Sequence, residues 1–129
     1  MRNPFRPIPV YIKFYINQIE MVRLDLSAEV SETVKGNFSS ERLVIADFEE
    51  AERMLKSSLE QLVRGKFWGL LNPPLNIVVQ QLDFTDGGLS PTERRILMNV
   101  AERIGGRKII IEDRQEALTW EQAKGILLV

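Results

Sequence analysis

The chain has 129 residues, with 17 Lys and Arg against 18 Asp and Glu, a formal net charge of -1, and neither histidine nor cysteine. That length suffices for one domain with a real hydrophobic core, so no disulfide or metal staple is required. The missing residue types exclude disulfide frameworks, the usual zinc sites, thiol nucleophiles and histidine relays, and the charge balance speaks against a nucleic-acid partner.

Residues 1–9 carry Arg2 and Arg6 among Pro4, Pro7 and Pro9, which rules out an apolar leader helix and predicts an extended N-terminal arm. No apolar run approaches the roughly 20 residues needed to cross a bilayer, so the expectation is a cytoplasmic protein without membrane insertion.

Residues 10–16 and 19–26 are rich in Val, Ile, Tyr and Phe, and Asn17-Gln18 suits a tight connection between two strands of a hairpin. Residues 29–35 alternate Val30 and Val34 with polar side chains and read as an edge strand closed by Gly36-Asn37. Asp47, with Glu50 three positions on, starts a helix whose stripe of Ala51, Met54, Leu55, Leu59, Leu62 and Val63 ends at Gly65. Residues 75–81 follow Pro73-Pro74 and contain Ile77, Val78 and Val79 in a row, the mark of a strand buried on both faces. Ser90-Pro91-Thr92-Glu93 combines cap, first-turn proline and returning glutamate ahead of Ile96, Leu97, Val100 and Ile104, and Gly105-Gly106 ends that helix. A short strand over 108–111 and a last helix from Asp113 to about Lys124 follow, leaving an apolar end at 126–129.

The order βββαβαβα joins an antiparallel meander to a right-handed parallel extension within a single domain, 1–129. This is the ribonuclease-H-like arrangement, a mixed sheet that actin-like ATPases use as each of their half-domains. Order alone leaves open a nuclease, half of an actin fold and a non-catalytic derivative.

Val44-Ile45-Ala46-Asp47-Phe48, followed by Glu52, Met54 and Leu55, resembles the segment of MreB, the bacterial actin homologue, in which a short strand delivers the chain into a helix. Thr92-Glu93-Arg94-Arg95 is similar to that family's helix start after its inner strand, and residues 109–113 to the strand and acidic turn beyond it. The resemblance spans about 43–126 and implies that Glu112 and Asp113 sit in the acidic turn facing nucleotide, with Asp47 at the head of the first helix. Departures are equally specific. Tyr15-Ile16-Asn17-Gln18-Ile19 has no glycine and no carboxylate for magnesium where MreB carries a phosphate-holding loop. The chain ends where a second phosphate loop would begin, and residues 36–41 leave no space for the small inserted subdomain. The implied object is a stripped core with one wall of a nucleotide cleft.

The expected function is a non-catalytic MreB-like protein-interaction module, without cofactor, associating with itself or an MreB-type protein in a cytoskeletal, cell-shape or envelope assembly. The alternative is a nucleotide-binding protein in which two chains complete one actin-like cleft. A third reading, a metal-dependent nuclease, would need Asp83, Asp86, Glu112 and Asp113 to converge around cations. Against it, the first strand lacks carboxylates, Asp86-Gly87-Gly88 is turn chemistry, and Asp113 is well placed to cap the last helix. Candidate interaction residues are Phe67, Trp68 and Leu70 in an apolar loop, whose other role is to roof the core, and Phe5 in the arm. Trp120 has the same two readings.

Overall fold

The computed structural model describes residues 6–27, 30–63 and 73–128. Strands β1 (Ile8–Tyr15), β2 (Gln18–Arg23) and β3 (Ser31–Lys35) form the meander. Helix α1 (Phe48–Val63), strand β4 (Leu75–Gln81), helix α2 (Pro91–Arg103), strand β5 (Gly106–Glu112) and helix α3 (Trp120–Leu128) follow. The protein is therefore a mixed α/β domain with one five-stranded sheet and, among the described residues, three helices. The sheet order is β3-β2-β1-β4-β5, antiparallel on the β3 side of β1 and parallel from β1 through β5.

Side-chain alternation along the strands creates two unequal cores. Val10, Ile12 and Phe14 of β1, Ile19 and Met21 of β2, and Leu75, Ile77 and Val79 of β4 face α1 and α2. The opposite face holds Tyr11 and Val78 under Leu118, Ala123 and Leu127. The stripe read from the sequence is the buried face of α1: Leu55 and Leu59 are wholly inaccessible, and truncating either to alanine would cost about 2–5 kcal/mol. Strand β4 is interior, as its run of apolar residues predicts, and pairs in parallel on both sides.

The cap expectations for α1 and α2 hold, the second completely. Ser90 Oγ accepts from the Glu93 N–H at 3.1 Å, and Glu93 Oε1 accepts from the Ser90 N–H at 2.9 Å, closing a reciprocal box ahead of Pro91. Asp47 Oδ1 accepts from the Glu50 N–H at 3.0 Å, but the Glu50 carboxylate turns to Arg53 instead of reaching back. The Asp47 N–H donates to the Phe38 carbonyl.

Four expectations need correction. Strand β1 begins at Ile8, inside the arm expected over 1–9, because the Ile8 N–H donates to the Pro74 carbonyl and the Pro9 carbonyl accepts from the Leu24 N–H. The hairpin turn is Ile16-Asn17, since Gln18 already pairs with Tyr15 as the first residue of β2. Residues 44–47, cast by resemblance as a short strand, have no regular structure, although Val44 and Ile45 are buried. Asp113 does not cap the last helix, which begins at Trp120. Thr119 performs the capping: its hydroxyl accepts from the Gln122 N–H at 3.1 Å while the Gln122 amide oxygen accepts from the Thr119 N–H at 2.9 Å. The residues before it are held out of a helix because Gln80 Nε2 donates to the Arg114 and Glu116 carbonyls, at 2.8 and 2.7 Å. Residues 126–128 of the apolar end thus fall inside α3, with Leu127 buried.

Candidate functional site

Open α/β sheets place their chemistry at the carboxyl ends of parallel strands, where loops converge without blocking the sheet. Here that rim comprises the β1–β2 turn, the segment after Gln81, the start of α2 and the residues following Glu112. Its construction starts from two successive buried amides. Gln80 is fully buried and Gln81 nearly so, and because strand side chains alternate they project to opposite faces. Gln80 accepts from the Tyr11 hydroxyl, which itself accepts from the Leu118 N–H at 2.9 Å. Gln81 Nε2 donates to the Asp83 carbonyl at 3.0 Å and to Glu93 Oε2 at 2.8 Å. The two amides tie the loops on either face of the sheet to the end of β4. Their only mark in the sequence is a pair of amides directly after the apolar run Ile77-Val78-Val79.

The hairpin turn is closed by the chain's own groups. Asn17, the second residue of the turn, takes a left-handed conformation (φ 53°), which asparagine adopts more readily than other non-glycine residues. Its side-chain oxygen accepts from the Phe38 and Ser39 N–H groups at 3.0 and 2.8 Å. The two turn amides are also engaged: Ile16 N–H donates to Asp83 Oδ2 at 2.7 Å, and Asn17 N–H to Ser39 Oγ at 2.8 Å.

The acids singled out from sequence are dispersed around this rim. Asp83 bonds the hairpin, Asp86 is exposed in its turn, and Glu112 Oε2 accepts from the Arg114 N–H at 3.0 Å. Asp113 pairs with Arg94 of α2. Asp47 caps α1 and lines an open hollow of about 550 Å³ together with Asn37, Ser39 and Glu49. Among the described residues no three Asp or Glu side chains gather as metal ligands. Gly87 and Gly88 have φ of 79° and 84°, and the Gly88 N–H bonds the Thr85 carbonyl, which is turn geometry. A second hollow, of about 450 Å³, lies at the opposite end of the sheet between Arg6, Asn76 and Lys124.

Burial pushes the Tyr15 phenol above its ordinary value, and the charges of Glu20 and Asp83 push it further. Burial also pushes up the Glu93 carboxyl, but hydrogen bonds from Ser90 and Gln81 outweigh it and leave that carboxyl below the usual range. Tyr11 is raised to about 12 by burial against the opposing bond from Leu118.

Phe5, Phe67, Trp68 and Leu70 lie outside the described residues. Trp120 roofs the smaller core: its indole N–H donates to the Arg23 carbonyl at 2.9 Å, and the Lys124 ammonium sits 4.8 Å from the ring centre. No helix among the described residues is long and apolar enough to cross a membrane.

No family model matches the chain. No solved structure matches it either. It is similar to the uncharacterized protein YjaA of Escherichia coli (strain K12), with 39% identity over 93 residues that cover 70% of this chain and 72% of that protein. At that identity and coverage, the chain belongs to the YjaA family.

Proposed function

We propose that this chain is a non-catalytic protein-association module on a ribonuclease-H-like core. The fold part of the reading is supported by the sheet order β3-β2-β1-β4-β5, with helices in the two crossovers that lead into β4 and β5. The functional part is carried by one observation: the amides of Ile16 and Asn17, at the tip of the first hairpin, are already taken by Asp83 and Ser39. A phosphate loop needs those donors free and a positive or neutral surround. This rim instead supplies an internal carboxylate to one of them. The remaining acids support the same reading, because Asp113 and Glu112 are engaged by Arg94 and Arg114, away from a shared cation position.

The test is size exclusion with light scattering, repeated with and without magnesium and ATP, alongside calorimetric titration of the nucleotide. The reading expects no heat of binding and a mass indifferent to ATP. Assembly only with ATP would replace it by the alternative, two chains completing one actin-like nucleotide cleft. The MreB-type partner implied by the resemblance is tested by adding such a protein in the same run and looking for a co-eluting species.

A further inference from the structure

We propose that β5 is a self-complementary edge, and that two copies of this chain pair through it antiparallel, centred on Ile110, into one continuous ten-stranded sheet. This deepens the association reading, on which it rests, by naming the partner as a second copy. The two edge strands of the sheet are built differently. Strand β3 is short and polar (Ser31, Glu32, Thr33, Lys35 around Val34), the composition that discourages edge pairing. Strand β5 is seven residues long, with half-buried Ile109, Ile110 and Ile111 at its middle. Among the described residues it has a strand neighbour on one side alone. Nothing on that edge within 109–111 is charged, prolyl or bulged; the irregularity in the β4–β5 register lies before Lys108.

The charges select the register. Ile110 shares a face with Lys108 and Glu112, the face carrying α3, while Ile109 and Ile111 pack toward α1 and α2. Directly opposite residues of an antiparallel pair share a face. With Ile110 opposite its own copy, Ile109 meets Ile111 and Lys108 meets Glu112, twice over by symmetry. Moving the centre to Ile109 sets Lys108 against Ile110 and Glu112 against Gly106. Centring on Ile111 sets Lys108 against Arg114 and Ile109 against Asp113. Only the Ile110 register matches apolar with apolar and cation with anion. Lys108 also donates to the Leu127 carbonyl at 3.1 Å, and its charge acts on a facing carboxylate whatever else it touches. A closed two-fold contact of this kind is isologous and stops at the dimer, because each copy spends its single β5 edge.

Two experiments on the full chain test the register. The sequence has no cysteine, so Ile110→Cys introduces one thiol per chain, opposite its own copy, where paired strands bring Cα atoms within disulfide range. Mild oxidation is expected to give a covalent dimer of twice the 14.8 kDa chain mass. Ile109→Cys, offset diagonally from its copy, is expected to lag far behind. In the second experiment Lys108→Glu and Glu112→Lys each turn both attractive pairs repulsive, weakening self-association by roughly tenfold or more. The double exchange restores it, with circular dichroism checking the fold of each variant. A wild-type monomer at hundreds of micromolar, equal cross-linking of the two cysteine variants, or a dimer untouched by the charge exchanges overturns the proposal. Those results leave the association reading standing with a different partner, since that reading falls on ATP-dependent assembly and not on β5.

Discussion

The Asp83 carboxylate accepts the Ile16 backbone N–H at 2.7 Å, joining the end of β4 to the tip of the first hairpin across 67 residues of sequence. It occupies the donor that an anion bound at this turn would need. Asp83→Ala leaves that N–H to water and removes a charge-assisted bond at a solvent-accessible position. The expected loss is about 1 kcal/mol, read as a lower urea midpoint with an unchanged slope. No loss would mean that the bond contributes nothing to holding the turn.

Tyr11 joins β1, β4 and the segment before α3, because its hydroxyl donates to Gln80 and accepts from Leu118. Tyr11→Phe strands both partners in a buried site, so the expected cost is about 1–3 kcal/mol. The phenol's folded value is raised from 10.0 to about 12, so its contribution is complete below pH 10 and is lost as the pH climbs toward 12. Denaturation measured from pH 8 to 12 should show stability falling in that window for the wild type, and a shallower fall for Tyr11→Phe.

Glu52 is the ionic link between the two helices of the larger core. Its oxygens meet Arg103 Nε at 2.9 Å and Lys56 Nζ at 2.9 Å. The Arg103 hydrogen bond first, and the Lys56 bond second, hold this carboxyl below its ordinary 4.5. A depressed carboxylate stabilises above its unfolded value, and that contribution disappears as pH falls below about 4.5 through the folded one. Thermal melts at pH 7, 4.5 and 3 should show an acid decline that Glu52→Gln reduces. An identical decline in both proteins would assign the acid sensitivity to other carboxylates.

Gly106 starts β5 where the strand passes beneath the end of α2. A methyl group there would lie 2.7 Å from the Ala101 carbonyl oxygen and 2.8 Å from Ile109 Cγ1. The backbone oxygen cannot swing away as a flexible side chain would. Gly106→Ala is therefore expected to destabilise by about 1–3 kcal/mol through overpacking. A neutral result in a urea titration would show that the α2–β5 connection yields more easily than its contacts suggest.

What was legible in the sequence was local. The capping box of Ser90 and Glu93, the Asp47 cap, the stripe of α1 and the unbroken apolar run of β4 all depend on residues within a few positions of one another. Secondary-structure periods and caps are relationships of just that range, so they survive without knowledge of the fold. The order of elements, and with it the mixed sheet, followed from them.

The rim and the last helix were decided by tertiary structure. Asp113 has the chemistry of a cap, yet the start of α3 passes to Thr119 because Gln80, 34 residues before Arg114, holds that segment's carbonyls out of a helix. Asn17 reads as an ordinary turn residue until the fold brings Phe38 and Ser39 against its side chain. Asp83 reads as a solvated acid until the parallel pairing of β1 with β4 sets it beside Ile16. A hydrogen bond between residues distant in the chain exists only once the fold sets their separation, and that separation is not a property of either residue's own neighbours in the sequence.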